Sequence, residues 1–143
     1  MTSTYDPDNI FGRILRGEAP CTKIYEDDVS LAFLDVMPRA DGHTLIVPKV
    51  QARNLLDIEP EDLARLMPAL RKVARAVVAG MAAEGLTIQQ FNETAGGQLV
   101  FHLHFHLLPR WPGVSLRPPG GPIQSAEALR PYADRIIAAL PRV

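Results

Sequence analysis

Three of the four histidines in this 143-residue chain fall in one pentapeptide, His102-Leu103-His104-Phe105-His106. If the segment is extended, alternate side chains share a face. The three imidazoles would then stand about 7 Å apart along one face, two strand residues at a time. Leu103, Phe105 and Leu107 would turn the other way, into a core. Imidazole is a nucleophile and a proton carrier near neutral pH, and neighbouring imidazoles shift one another's pKa. Catalysis is therefore one reading of the cluster. Metal ligation is a second, because imidazole is the commonest metal ligand, although no cysteine or carboxylate joins the set within the strand. Three histidines satisfied on a solvated or core face are a third. The flanks favour catalysis. Gly96-Gly97 stands just before the strand, where glycine amides can approach an anion. Asn92 and Gln98 bracket that loop and offer side-chain donors.

The elements that must hold these residues are legible in outline. Ile10, Phe11, Ile14 and Leu15 predict a helix over 10–16, capped by Asp8 or Asn9 and ended by Gly17. Cys21–Tyr25 and Ser30–Asp35 predict two strands joined by a tight turn, and Thr44–Pro48 a third strand. A long helix begins at Pro60. Glu61 and Asp62 favour its positive end, and Leu63, Leu66, Met67, Leu70, Val73, Val77, Val78 and Met81 recur at helical spacing towards a stop at Gly85. Pro68 lies inside this pattern and predicts a kink or a later start. Leu86–Phe91 and Leu99–Leu108 predict two more strands around the loop 92–97. A Pro/Gly-rich connection over 109–122 leads to a helical segment of about 125–140, with Pro131 setting the helix start. Hairpin-like strands mixed with a few helices predict an α+β class with an antiparallel sheet.

Composition excludes several roles. Length predicts one domain over 1–143, with its core at about 8–112. Lys plus Arg is 15 and Asp plus Glu is 16, so neither a nucleic-acid partner nor a membrane surface is expected on charge. The one cysteine, Cys21, excludes an internal disulfide and an all-cysteine zinc site. No apolar run approaches the roughly 20 residues of a membrane span. The polar start, MTSTYDPDN, is unlike a signal peptide, and the expected location is the cytoplasm.

His-Leu-His-Phe-His-Leu-Leu resembles the signature of the histidine triad (HIT) family. Asp41-Gly42-His43-Thr44-Leu45-Ile46-Val47-Pro48-Lys49 is similar to that family's upstream strand, Asn9 to Pro20 to its first helix, and Ala32-Phe33-Leu34-Asp35 to its Phe-x-Asp strand. The resemblance implies a HIT-like fold with about five strands, two main helices and here a C-terminal helix, usually as a homodimer. It implies a hydrolase or transferase acting at the α-phosphorus of a purine nucleotide, with adenosine expected. His104 would be the nucleophile and would form a nucleotidyl-histidine. His102 would fix its tautomer, His106 would contact the phosphate oxygens, and His43 would pack beside the triad. Asp35 would bind the ribose; Asn92, Gly97 and Gln98 would lie at the phosphate or leaving group; Ile10, Phe11, Ile14 and Phe33 would form the base slot. No cofactor or metal is implied. Asn9, Gly12 and Gln51 stand where some bacterial members place zinc-holding cysteines and a histidine. Leu99 stands where the family often has a hydroxyl, which keeps open a nucleotide-binding or scaffold protein with little turnover. Leu107-Leu108-Pro109-Arg110 is like the dinucleoside polyphosphate branch more than the phosphoramidase branch. A metal-binding protein using the cluster is the remaining alternative.

Overall fold

The computed structural model describes residues 4–141, so the first three residues of the polar amino-terminal stretch and the last two of the chain lie outside the described residues. Helix α1 is Ile10–Leu15. Strands β1 (Lys23–Glu26), β2 (Ser30–Leu34) and β3 (Thr44–Pro48) follow. Helix α2 is Pro60–Gly80, β4 is Gly85–Gln89, β5 is Phe105–Arg110 and α3 is Ala126–Ala138. The five strands form one antiparallel sheet in the order β1-β2-β3-β5-β4, the α+β arrangement expected from the sequence.

The sheet is covered on two faces, and alternation assigns the residues to each. Ala32, Leu34, Ile46 and Leu107 join Leu66, Leu70, Val73 and Val77 of α2 and Leu129, Ala133 and Ile136 of α3 in the main core. Leu31, Phe33, Leu45 and Val47 point the opposite way and pack on Phe11 of α1. This explains why β2 and β3 are buried at every position. His106 pairs with Leu45 across the sheet and so shares the α1 face.

Asn9, and not Asp8, caps α1, accepting from the Gly12 amide at 2.8 Å. Pro68 lies inside α2 without delaying its start, and Pro131 lies inside α3. The start of α3 is set instead by Ser125, whose hydroxyl accepts from the Ala128 amide at 3.1 Å. Helix α2 also stops before the expected Gly85. The amides of Ala82 and Ala83 fold back to the carbonyls of Ala79 and Val78, with Ala82 in the left-handed region at φ 50°. An alanine thus closes the helix without the glycine signal, and Gly85 opens β4. At Gly80 the two long helices approach so closely that a Cβ would stand 2.6 Å from the Arg135 carbonyl oxygen. None of the helices is long and apolar enough to cross a membrane, among the described residues.

The largest correction concerns the histidine strand. The sequence predicts Leu99–Leu108, yet β5 begins only at Phe105. The β3–β5 register, Thr44 with Leu107 and Ile46 with Phe105, would next bring Leu103 opposite Pro48. Proline has no amide proton, so the ladder cannot continue. The Leu103 amide instead reaches the Ala52 carbonyl at 2.8 Å. His102 and His104 therefore sit in irregular backbone, and only His106 belongs to a strand. The apolar side of the alternation survives this change: Leu103 packs with Ala52, Ile58 and Phe105.

Candidate active site

Freed from the ladder, the segment before β5 bends so that the rings of His104, His106 and His43 meet, with the His102 carbonyl against His104. The rings of His104 and His106 lie 5.0 Å apart, closer than the spacing of alternate residues along a strand, and those of His43 and His106 lie 5.2 Å apart. Each ring is held by named partners, and the partners fix its proton.

His104 donates its Nδ1 proton to the His102 carbonyl at 2.7 Å. Its Nε2 consequently carries a lone pair. His102 donates from Nε2 to the Pro48 carbonyl at 2.8 Å, so its Nδ1 accepts from the Tyr5 hydroxyl at 2.6 Å. The backbone amide of Arg39 donates to His43 Nδ1 at 3.0 Å, which puts the His43 proton on Nε2. That proton is donated to His106 Nδ1 at 2.9 Å, leaving His106 with its own proton on Nε2. The result is a bare imidazole nitrogen on one ring beside an N–H donor on the next. Such a pair can attack an electrophilic centre and hold one of its oxygens.

Burial keeps the rings neutral. It pushes His104 below the ordinary imidazole value. Burial first, then the charges of His106, Arg39 and Arg117, push His43 down to about 3. Burial also lowers His102 to about 4, and burial with the neighbouring His104 and Arg39 lowers His106 to about 4. These depressed values link folding to pH. Between about 4 and 6.5 the unfolded histidines bind protons that the folded ones refuse, so stability is full above pH 6.5 and is lost as pH falls through that window. The burial-raised carboxyl of Asp35 acts in the opposite direction and offsets part of this. Calorimetry from pH 7 to pH 4 is expected to show a steadily falling Tm, with a shallower fall for His106→Asn. A Tm independent of pH over that range would contradict the assignment.

Asp35 leaves the end of β2 and faces this network. One of its oxygens accepts the Met37 amide at 2.8 Å, and the other lies 3.5 Å from His43 Nε2. Asp35, His43 and His106 bring their ligand atoms within 4.8 Å of one another, a spacing that could suit a metal. The proton inventory opposes it. With the Arg39 amide on Nδ1, His43 presents N–H and not a lone pair at Nε2, and both His102 nitrogens are already engaged. At Asn9 and Gly12, two of the positions compared with zinc-holding residues, the side chain and amide bond each other to cap α1.

Phe11 packs edge-on against His104 at 4.9 Å, and Phe33 lies behind it, also edge-on, at 5.4 Å. Ile14 borders the same cluster, and Ile10, 43% exposed, lies on the open side of α1. Of the apolar residues named from the sequence, Phe11 touches the triad, Phe33 and Ile14 share its cluster, and Ile10 stands apart on the surface.

The loop over 92–98 departs from expectation. Gln98 is not free for a phosphate. It is 2% exposed and all four of its hydrogen-bonding positions are used inside the chain. Its oxygen accepts from Asn54 at 3.1 Å and the Glu93 amide at 2.7 Å, and its nitrogen donates to the carbonyls of Arg53 and Val100 at 2.7 and 3.0 Å. The amides of Gly96 and Gly97 are likewise spent on Glu93 and Thr94 carbonyls, so they form no open anion nest. Gly97 serves its left-handed φ of 99° instead. Asn92 exchanges two hydrogen bonds with Gln90 and accepts from the Leu55 amide at 2.9 Å. Leu99 is 84% exposed.

Several residues that position the site carried no sequence signal. Tyr5 lies 97 residues from His102. Arg39 acts through its backbone, and Arg53 clamps Glu93 at 2.8 and 2.9 Å while lying over the Phe101 ring. Only Pro48, at the end of a β-branched run, stood out beforehand, and there as a strand terminator.

Comparison with known proteins agrees with this geometry. The HIT domain family model matches residues 16–113. An adenylylsulfatase of Arabidopsis thaliana is 36% identical over 122 residues, 81% of this chain and 62% of that protein's length. The chain therefore spans less than two thirds of that relative. An adenosine 5'-monophosphoramidase of Schizosaccharomyces pombe is 34% identical over 119 residues, covering 76% of this chain and 86% of that protein. A crystal structure of a Hit-like protein from Bartonella henselae superposes with a TM-score of 0.89 at 46% identity, covering 96% of this chain and 100% of that one. With the family model spanning most of the chain and the four histidines gathered as described, the protein belongs to the HIT domain family.

Proposed function

We infer that the protein is a nucleotide hydrolase or transferase that cleaves at the α-phosphorus of a nucleoside 5'-phosphoryl substrate. The observation that carries this is the His104 Nδ1–H bond to the His102 carbonyl, which leaves Nε2 of His104 as a lone pair beside the Nε2–H of His106. In the first step that lone pair forms a nitrogen–phosphorus bond, and the leaving group departs with the electrons of its bond to phosphorus. His106 donates to a non-bridging oxygen as charge gathers there. In the second step water attacks the nucleotidyl-His104, the nitrogen–phosphorus bond breaks, and a nucleoside monophosphate is released. Two steps of moderate height replace one difficult displacement. None of these roles requires a cofactor.

The relatives named adenylylsulfatase and adenosine 5'-monophosphoramidase support an adenosine phosphate as the substrate class. Phe11, Phe33, Ile10 and Ile14 would hold the base by apolar contact, and the second oxygen of Asp35 would accept from the ribose. Asn92 and the Gly97 turn would border the leaving group, with Gln98 fixing the loop from behind. A panel of adenosine phosphoramidate, a lysine-linked adenylate, adenylyl sulfate and diadenosine tri- and tetraphosphate tests the reading by AMP release. The best substrate identifies the leaving group. Folded protein that binds AMP and releases none from any of the five would instead support the nucleotide-binding alternative.

A cytoplasmic homodimer is part of the same proposal. Ala74, Val78, Ala79 and Leu86 form an apolar surface between Arg71 and Arg75, next to the edge strand β4. An unpaired edge beside apolar surface favours association. Sedimentation at micromolar concentration is expected to give a dimer, and Val78→Asp a monomer. A wild-type monomer would sink the dimer proposal.

A further inference from the structure

The segment after β5 closes a second cavity, of about 470 Å³, which the proposed reaction leaves unused. Arg39, Arg110, Arg117 and Arg135 line it, and Asp41 is its one carboxylate. Asp41 is already paired with Arg117 at 3.0 Å. Among the described residues, Arg39, Arg110 and Arg135 have no carboxylate within ion-pair distance. Three uncompensated guanidiniums thus share one cavity in a chain whose net charge is −1. Like charges held together raise the energy unless counter-charge arrives.

Their hydrogen bonding points the same way. Arg39 Nε donates to the Arg117 carbonyl at 2.9 Å, and Arg135 Nε to the Gly80 carbonyl at 3.0 Å. Backbone acceptors therefore fix two of the side chains; Arg39 Nη1 also donates to Gln89 Oε1 at 3.4 Å, and the remaining terminal N–H groups are left for a ligand. Arg110 Nη1 donates to Thr87 at 3.1 Å, whereas its Nε is buried and has no acceptor. Buried donors are nearly always paired, and among the described residues the chain leaves this guanidinium under-satisfied.

The geometry points to this cavity as a second anion site, separate from the triad, for a di- or triphosphate group. A single phosphate would satisfy one arginine fork. A chain of phosphates carries enough charge and oxygens to meet three. The site also touches the catalytic network, because the backbone of Arg39 holds His43 while its side chain lines the cavity.

Titration calorimetry with inorganic tripolyphosphate tests this without any turnover, so its failure is independent of the hydrolase reading. Wild type and His104→Ala are expected to bind one molecule per chain with equal affinity, weakening as salt rises. Arg110→Gln and Arg135→Gln are each expected to weaken it at least tenfold. Arg135 is exposed on α3, so its variant carries the test if Arg110→Gln fails to fold. A parallel titration with ATP separates the sources of such a chain. The triad site is itself proposed to bind adenosine phosphates, so only ATP binding lost in Arg135→Gln counts: where that component is tighter than tripolyphosphate the chain belongs to a nucleotide, and where it is equal or weaker to an inorganic chain. No saturable binding, or binding lost in His104→Ala but kept in both arginine variants, overturns the proposal.

Discussion

His104→Ala is expected to reduce AMP release from every substrate of the panel by a factor on the order of 10⁴ or more, the scale seen when a covalent nucleophile is removed. The fold should survive, because the main core does not include His104. AMP binding should change far less than turnover, since the proposed base slot and Asp35 are untouched. Wild type quenched in alkali during turnover should carry a covalently attached nucleotide, as a phosphorus–nitrogen bond to histidine survives base, and the variant should carry none. The pH profile offers a second check. Burial lowers the His104 pKa, so Nε2 stays unprotonated at neutral pH and kcat/KM should fall only at pH values below the ordinary imidazole 6.5. An acid limb at or above 6.5, or AMP release surviving in His104→Ala, would mean that another group attacks.

Gln98→Ala is expected to act on stability first. The substitution leaves the Glu93 amide, the Asn54 side chain and the carbonyls of Arg53 and Val100 without their partner. Some of these will find water. Leaving a buried polar group unsatisfied costs about 1–3 kcal/mol, so a total loss of roughly 3 kcal/mol is reasonable. At about 2–4 °C per kcal/mol for a chain of this size, Tm should drop by roughly 6–12 °C. Activity should fall as well, because the loop that Gln98 ties runs directly into His102 and His104. A phosphate-binding glutamine predicts a different result, in which kcat/KM falls while Tm holds. Measuring both quantities on one variant separates the roles, and an unchanged Tm would refute the tethering role drawn from the structure.

The sequence by itself determined a good deal of this protein. Periodicity located α2, because a long amphipathic helix repeats its apolar residues often enough to be unmistakable. The acidic turn before Ser30 located β2 as half of a hairpin, and a short β-branched run closed by proline located β3. The pentapeptide His102 to His106 marked the chemistry, since three imidazoles at alternate positions give little packing benefit. The segments around His43, Asp35 and Phe11 then identified the family to which these residues belong.

Tertiary structure decided the rest. Alternation placed three imidazoles along one strand, but Pro48 on the neighbouring strand ended the ladder before two of them. No local pattern around His102 could reveal a missing donor 54 residues away. The proton on each ring depends on Tyr5, Arg39 and the Pro48 carbonyl, which the fold alone brings to the site. Gln98 has the right type and position for a ligand, yet its role follows from which four groups surround it. The arginines that line the second cavity lie between positions 39 and 135, and only the wrap of the carboxy-terminal segment gathers them. Residue types and spacing specify which chemistry is available. Hydrogen-bond partners distant in sequence fix which atom carries the proton, and with it which nitrogen can attack.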